Sequence, residues 1–397
     1  MADRVRQQFV FLSDKVFAIN SVLTFNITEV NIGVKDVRRE IKTLTGVRGV
    51  AAILVVLYHF SITRASGLTS LFTIPHAYMS VDAFFILSGF VLSYNYGWIF
   101  LASFKFIDYV SFLYKRFCRI YPAYFFVMCI CVPKLFIGMS GNGAREAYDS
   151  ADVYSNFLML SVWAVNAKLF IGPSWSVCVE VFCYFIFPLL AAIVARGFLF
   201  PIFSILIAYF GIVIISRSQL GVEGSLDIVS GETFYPTLRA LCGFVIGMGF
   251  SKLATSSISK RLNWNLIFCL GLVALFVSIS ASLADSVTYL AIATIVLGAS
   301  AEGAVSRAIF ENPLSCFLGK ISYSLYLTHA LLIAAFAKVI IVLSAALPYA
   351  PTYFSIALLY LLTTIALSMV SHSLFEMRIQ TLLRGLWPGP KRRPASV

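Results

Sequence analysis

Ten stretches of about twenty mostly apolar residues decide what this 397-residue chain can become. They fall at approximately 45–63, 77–101, 118–138, 174–195, 198–216, 234–251, 264–283, 286–303, 321–343 and 353–375. A helix needs roughly 20 apolar residues to cross the ~30 Å hydrocarbon core of a bilayer. Inside that core only helices and closed barrels satisfy the backbone. Composition agrees, with 60% of residues hydrophobic and 12% charged, against roughly 45–50% and about 25% in soluble domains. A soluble fold of this length cannot hide so much apolar surface, which excludes a cytosolic enzyme, a secreted domain and a disordered scaffold. The expectation is an all-α, polytopic membrane protein: about ten transmembrane helices in a bundle with an internal polar chamber.

Lys and Arg placement sets the topology. With ten spans and the N-terminus in the cytoplasm, twenty-two of the thirty basic residues lie inside and seven outside, with Arg48 within the first span. The apolar segment 153–166 reads as interfacial or re-entrant. Counting it as an eleventh span would place the basic C-terminal tail outside. The expected organisation is therefore a cytoplasmic N-terminal tail (1–42), amphipathic on the inner face and not a signal peptide. A membrane domain (43–375) and a basic cytoplasmic tail (376–397), disordered after Arg378, follow, in the inner membrane of a cell. The net charge of +12 is scattered between apolar segments, so it reads as topology and not as a nucleic-acid footprint. The eight cysteines form no CxxC pair, and none sits at metal spacing from a histidine, so no metal is expected.

Ionisable side chains inside spans cost at least about 2.5–3.5 kcal/mol on insertion scales and ask for a reason. Arg48 and His59 of LTGVRGVAAILVVLYHF are eleven residues apart, within about 20° of three full helical turns and roughly 16 Å along the axis. They share a face. Asp82 of SVDAFFILSGF reads either as an ion pair joining helices or as an orienting partner for a histidine. Arg116 and Arg119 of KRFCRIYP share a helical face at i, i+3, at the inner edge of the third span, where plain positive-inside charge is the competing explanation. Trp175, Ser176 and Glu180 open the fourth long span in PSWSVCVEVFCYFIFP. Ser322, Tyr326 and His329 of LGKISYSLYLTH form a polar stripe, read equally as a site or as a helix–helix hydrogen-bonding seam.

These five motifs, in this order and on these spans, resemble acyltransferase family 3, the integral membrane O-acyltransferases of cell-surface carbohydrates. The resemblance covers about residues 43–375. It implies His59 as the catalytic histidine, with Arg48, Asp82 and Glu180 in the catalytic group. It further implies Arg116, Arg119, Ser322, Tyr323, Tyr326 and His329 toward the donor, and Trp175 and Ser176 toward the acceptor. The chain departs from the family pattern at Ser80, where Gly is usual, and at Val181, where a second Glu is usual. Val181 leaves Glu180 as the acting carboxylate of that element.

The reaction so implied moves an acyl group, acetyl by resemblance, from cytoplasmic acyl-CoA to a hydroxyl of an exported carbohydrate or glycolipid. Neutral His59 would act as base, its tautomer fixed by Asp82 or Glu180. The outer segment 139–173, with Asn142, Tyr148, Asp152, Trp163 and Asn166, has the mix of groups that binds sugars; an ordinary interfacial aromatic belt would look the same. The rival from another class is a transporter or flippase of a glycan or lipid-linked intermediate. Internal repeat symmetry would mark it, and none is visible.

Overall fold

The computed structural model describes residues 39–62, 71–72, 74–102, 104–133, 148–163, 167–197, 199–229 and 232–387. Among them there is no strand. The order is α1 (Lys42–Ile62), α2 (Ser80–Ala102), α3 (Phe106–Cys131), α4 (Ser150–Phe157), α5 (Ser174–Val194), α6 (Leu199–Ser216) and α7 (Tyr235–Ala254). Then come α8 (Trp264–Ser280), α9 (Asp285–Ala299), α10 (Ala304–Phe310), α11 (Pro313–Ser344) and α12 (Tyr349–Ser371). A π-helical segment (His372–Ile379) leads on from α12 into α13 (Gln380–Leu386). Helix starts follow local chemistry. Asn312 caps α11 by accepting from the Ser315 amide, with Pro313 in the first turn, and Asn263 caps α8 through Leu266.

The chain is a multi-pass membrane protein. Among the described residues seven helices are long and apolar enough to cross a bilayer, or eight if α9 and α10, bent by 103° at their break, form one span. Of the remaining expected spans, α8 has only 17 residues and α3 is amphipathic. The lipid-facing surface is visible in the exposure pattern. Phe203, Ile207, Phe210 and Ile214 on α6 are exposed at i, i+4, i+7 and i+11, as are Leu266, Leu270, Val273 and Val277 on α8. Such apolar stripes are stable only against hydrocarbon.

Two expectations are corrected. The third helix begins twelve residues before 118, because Asp108, Lys115, Arg116 and Arg119 depress its apolarity without breaking it. Arg116 and Arg119 consequently sit inside a helix and not at its edge. The reading of segment 153–166 as interfacial or re-entrant agrees with its described part, since α4 is eight residues long, about 12 Å, and turns follow it. Residues 376–386 are helical, and Glu376 is buried, so the tail is ordered for most of its described length. The N-terminal tail to residue 38 and residues 388–397 lie outside the described residues.

Contacts sort the helix ends into two groups. Lys42 pairs with Glu311 at 3.4 Å, and the Thr43 hydroxyl donates to the Ala299 carbonyl. At the other end His76 meets Asp285 at 2.9 Å and the Tyr58 hydroxyl donates to Asp227. The first group is the basic end. The second is the opposite end.

Candidate active site

Arg48 is placed by close backbone contact between α1 and α11. An added Cβ at Gly319 would collide with the Thr45 carbonyl oxygen, and one at Gly49 with that of Ser315. Small residues at such crossings let helix backbones touch. Arg48 reaches over this contact, and its Nη2 donates to the Ser322 hydroxyl at 2.8 Å and to the Gly319 carbonyl at 3.2 Å.

The same arginine lines a cavity of about 130 Å³ between α1, α2, α3, α5 and α11. A single water needs about 10–15 Å³, so a thin chain or several waters fit. Arg48, Arg116, Arg119, Glu180, Ser176, Ser322, Tyr323 and Tyr326 all line it. Eight of the twelve residues singled out in the sequence are therefore brought to one space. Ser88 and Tyr184 both donate to Glu180 Oε1, at 2.6 and 2.7 Å. Arg116 donates to the Tyr96 hydroxyl at 2.9 Å and stacks on its ring. The Tyr323 hydroxyl is tied to the Ile120 carbonyl. Ser176 donates to the Tyr326 hydroxyl, which donates to the Pro173 carbonyl.

The histidines sit beside the Tyr326 wall of this cavity. The His329 ring is 5.7 Å from Tyr326 and 5.0 Å from His59, centroid to centroid. His329 is fully buried and its Nε2 has no hydrogen-bond partner. His59 is partly exposed, and its Nδ1 lies 2.9 Å from the Val55 carbonyl. A carbonyl oxygen can only accept, so the proton belongs on Nδ1 and the neutral ring carries its lone pair on Nε2. The orienting group expected from a carboxylate is thus a backbone carbonyl one helical turn back.

Asp82 and Trp175 stand apart from the histidines. Arg239 donates from Nε to Asp82 Oδ1 at 2.8 Å and from Nη2 to Oδ2 at 2.5 Å, a bidentate pair with both side chains buried. Of the two readings of Asp82, the geometry is that of the ion pair. Arg239 also donates to the Leu226 carbonyl and lies 5.6 Å over the Trp175 ring. Trp175 is itself buried, with Phe85 against it. In the segment expected to hold sugar, the Trp163 indole donates to the Cys178 carbonyl, and Asp152 completes the capping box of α4 with the N-cap Asp149 and accepts from the Lys168 amide. The Tyr148 hydroxyl donates to the Leu169 carbonyl, and Asn142 and Asn166 lie outside the described residues. Among the described residues no group of three or more His, Cys, Asp or Glu side chains is placed to hold a metal.

The profile of an acyltransferase domain, that of acyltransferase family 3, matches residues 41–372. The chain belongs to that family. No curated protein and no solved structure matches it.

In this acyltransferase, sequence reasoning missed Arg239 and Glu376. Arg239 is one of the seven basic residues placed on the outer side, and it lies one turn inside α7, as Asp82 lies inside α2. Opposite charges at equal depth in two spans were the available signal. Glu376 accepts from the Ser324 amide at 3.0 Å and its hydroxyl at 2.5 Å, with His372 at 3.2 Å from its other oxygen. It was assigned to a tail because it follows the last apolar stretch, and no sequence signal placed it against α11.

Proposed function

We propose that this acyltransferase is an O-acyltransferase of the inner membrane, with both termini cytoplasmic, that transfers acetyl from acetyl-CoA to a hydroxyl of an exported carbohydrate. One observation carries the reading: a cavity with three guanidiniums on its walls is lined by Tyr326, against which the tilted ring of His329 packs, with the ring of His59 packed on His329 in turn. Guanidinium forks suit phosphate oxygens, and a neutral imidazole suits proton removal near pH 7. His59 Nε2 takes the proton of the acceptor hydroxyl as its oxygen attacks the thioester carbonyl carbon. The tetrahedral intermediate collapses with cleavage of the carbon–sulfur bond. The imidazolium returns the proton to the departing thiolate, and the products are the acyl ester and free CoA. The acyl group is delivered through the bundle to an acceptor presented from the opposite end, without a separate acyl carrier. Because Arg116 and Arg119 sit inside α3, the distance to be bridged is shorter than the full bilayer.

The test is transfer of labelled acetyl from acetyl-CoA to a glycan panel by the purified protein. His59→Ala is expected to abolish transfer with unchanged abundance in the membrane. Near-wild-type turnover in that variant, or no transfer by the wild type to any glycan, sinks the assignment.

A further inference from the structure

Beyond the matched domain the chain returns to the arginine face of α3. The Tyr114 hydroxyl donates to the Leu383 carbonyl at 2.5 Å, and the Tyr114 ring packs on Trp387 with centroids 5.6 Å apart. These contacts hold α13 on the helix that carries Arg116 and Arg119. Arg384 is thereby within electrostatic reach of both guanidiniums and of the Tyr96 hydroxyl to which Arg116 donates.

Four guanidiniums, those of Arg48, Arg116, Arg119 and Arg384, gather around one region. Two carboxylates meet them: Glu180 on the cavity wall, and Glu376, in reach of Arg48 and Arg119. Both are already engaged, Glu180 by two hydroxyls and Glu376 by Ser324. Two positive charges remain over. In addition the Nε of Arg116 is buried without a hydrogen-bond partner. Like charges held close in a partly desolvated place repel, and an orphaned buried donor is unfavourable. A bound anion with several acceptor oxygens relieves both.

The run Tyr349–Leu386 has 38 residues, about 57 Å of helix against a ~30 Å hydrocarbon core. Arg384, near its end, falls beyond that core on the basic side, where a water-soluble ligand arrives.

We propose that Arg384 completes, with Arg116 and Arg119, a phosphate-binding cluster, and that α13 is the segment of this chain that clasps the nucleotide phosphates of the donor. The donor's identity rests on the acyl-CoA reading above. The cluster itself requires only a phosphate ester or diphosphate, a chemistry that an anionic lipid headgroup shares.

Pyrophosphate is the probe, measured by equilibrium binding to the full-length protein in detergent. Arg384→Gln is expected to weaken it about tenfold and Arg384→Lys less, with CoA competing and phosphatidylglycerol micelles not. If wild type fails to bind pyrophosphate, or Arg384→Gln binds it as wild type does, the cluster is overturned. If binding depends on Arg384 but phosphatidylglycerol displaces the probe and CoA does not, the cluster stands as a lipid site and the donor assignment falls. Should Arg384→Gln fail to fold, the comparison of Arg384→Lys with wild type decides. Bidentate geometry predicts a measurable loss there, and equal affinity refutes it.

Discussion

Asp82 shows how a residue singled out in sequence for catalysis can be held in a buried ion pair in space. Each charge alone in the bundle would be unfavourable by several kcal/mol, and the bidentate pair with the Leu226 carbonyl leaves neither uncompensated. Breaking a buried pair by removing one partner costs about 3–5 kcal/mol, whereas replacing both with apolar groups of like volume is often neutral. Asp82→Leu and Arg239→Met should therefore each lower the melting temperature in detergent, and the double variant should recover most of the loss. If both single variants melt like wild type and lose only transfer activity, Asp82 acts in the chemistry. His59 is the contrasting case. Its Val55 carbonyl partner lies one turn back on its own helix, so this contact survives loss of the Asp82 pair.

At the scale of elements, glycines decide which helices meet. Gly89 and Gly247 let α2 and α7 touch backbone to backbone, where an added Cβ would strike the Phe244 and Ile86 carbonyls respectively. That crossing aligns Asp82 with Arg239. Gly46, Gly49 and Gly319 do the same for α1 against α10 and α11, and so deliver Arg48 to Ser322. Gly319→Val should reduce the folded yield in the membrane, because the colliding atom is backbone and cannot rotate away. In the fraction that folds, transfer should fall as it does in Arg48→Ala; wild-type yield and activity would show that the helices can separate without consequence. The apolar stretches announced these helices in sequence because lipid-facing and core-facing positions are both apolar. The start of α3 and the helical run after Glu376 were illegible for the converse reason. Their charged residues, Arg116, Arg119 and Glu376, are accommodated by partners on other helices, and local sequence carries no trace of a partner far along the chain. The residues of the cavity were legible as types; what joins them, Tyr326 to His329 to His59, required the packing.

For the whole molecule, the remaining issue is direction. The two groups of helix ends each form their own contacts, Lys42 with Glu311 and His76 with Asp285. Charge is unequal between them: Arg196, Lys252, Lys260, Arg261 and Arg307 belong to the basic end. Arg239 at the other is neutralised by Asp82. An excess of Lys and Arg is retained on the cytoplasmic side, so the arginine-lined part of the cavity should open toward cytoplasmic acyl-CoA, and His59 toward the acceptor. Helix α8 tests this most severely, because its 17 residues extend only about 26 Å and must tilt little to cross a ~30 Å core. Ser257 precedes it and Ser282 follows it, both exposed. With the exposed Cys129 replaced by Ser, a cysteine at 282 should react with a membrane-impermeant maleimide in intact cells, and one at 257 only after permeabilisation. Labelling of both from the same side would make α8 a surface helix and leave nine passes, which would put the two termini on opposite faces of the membrane.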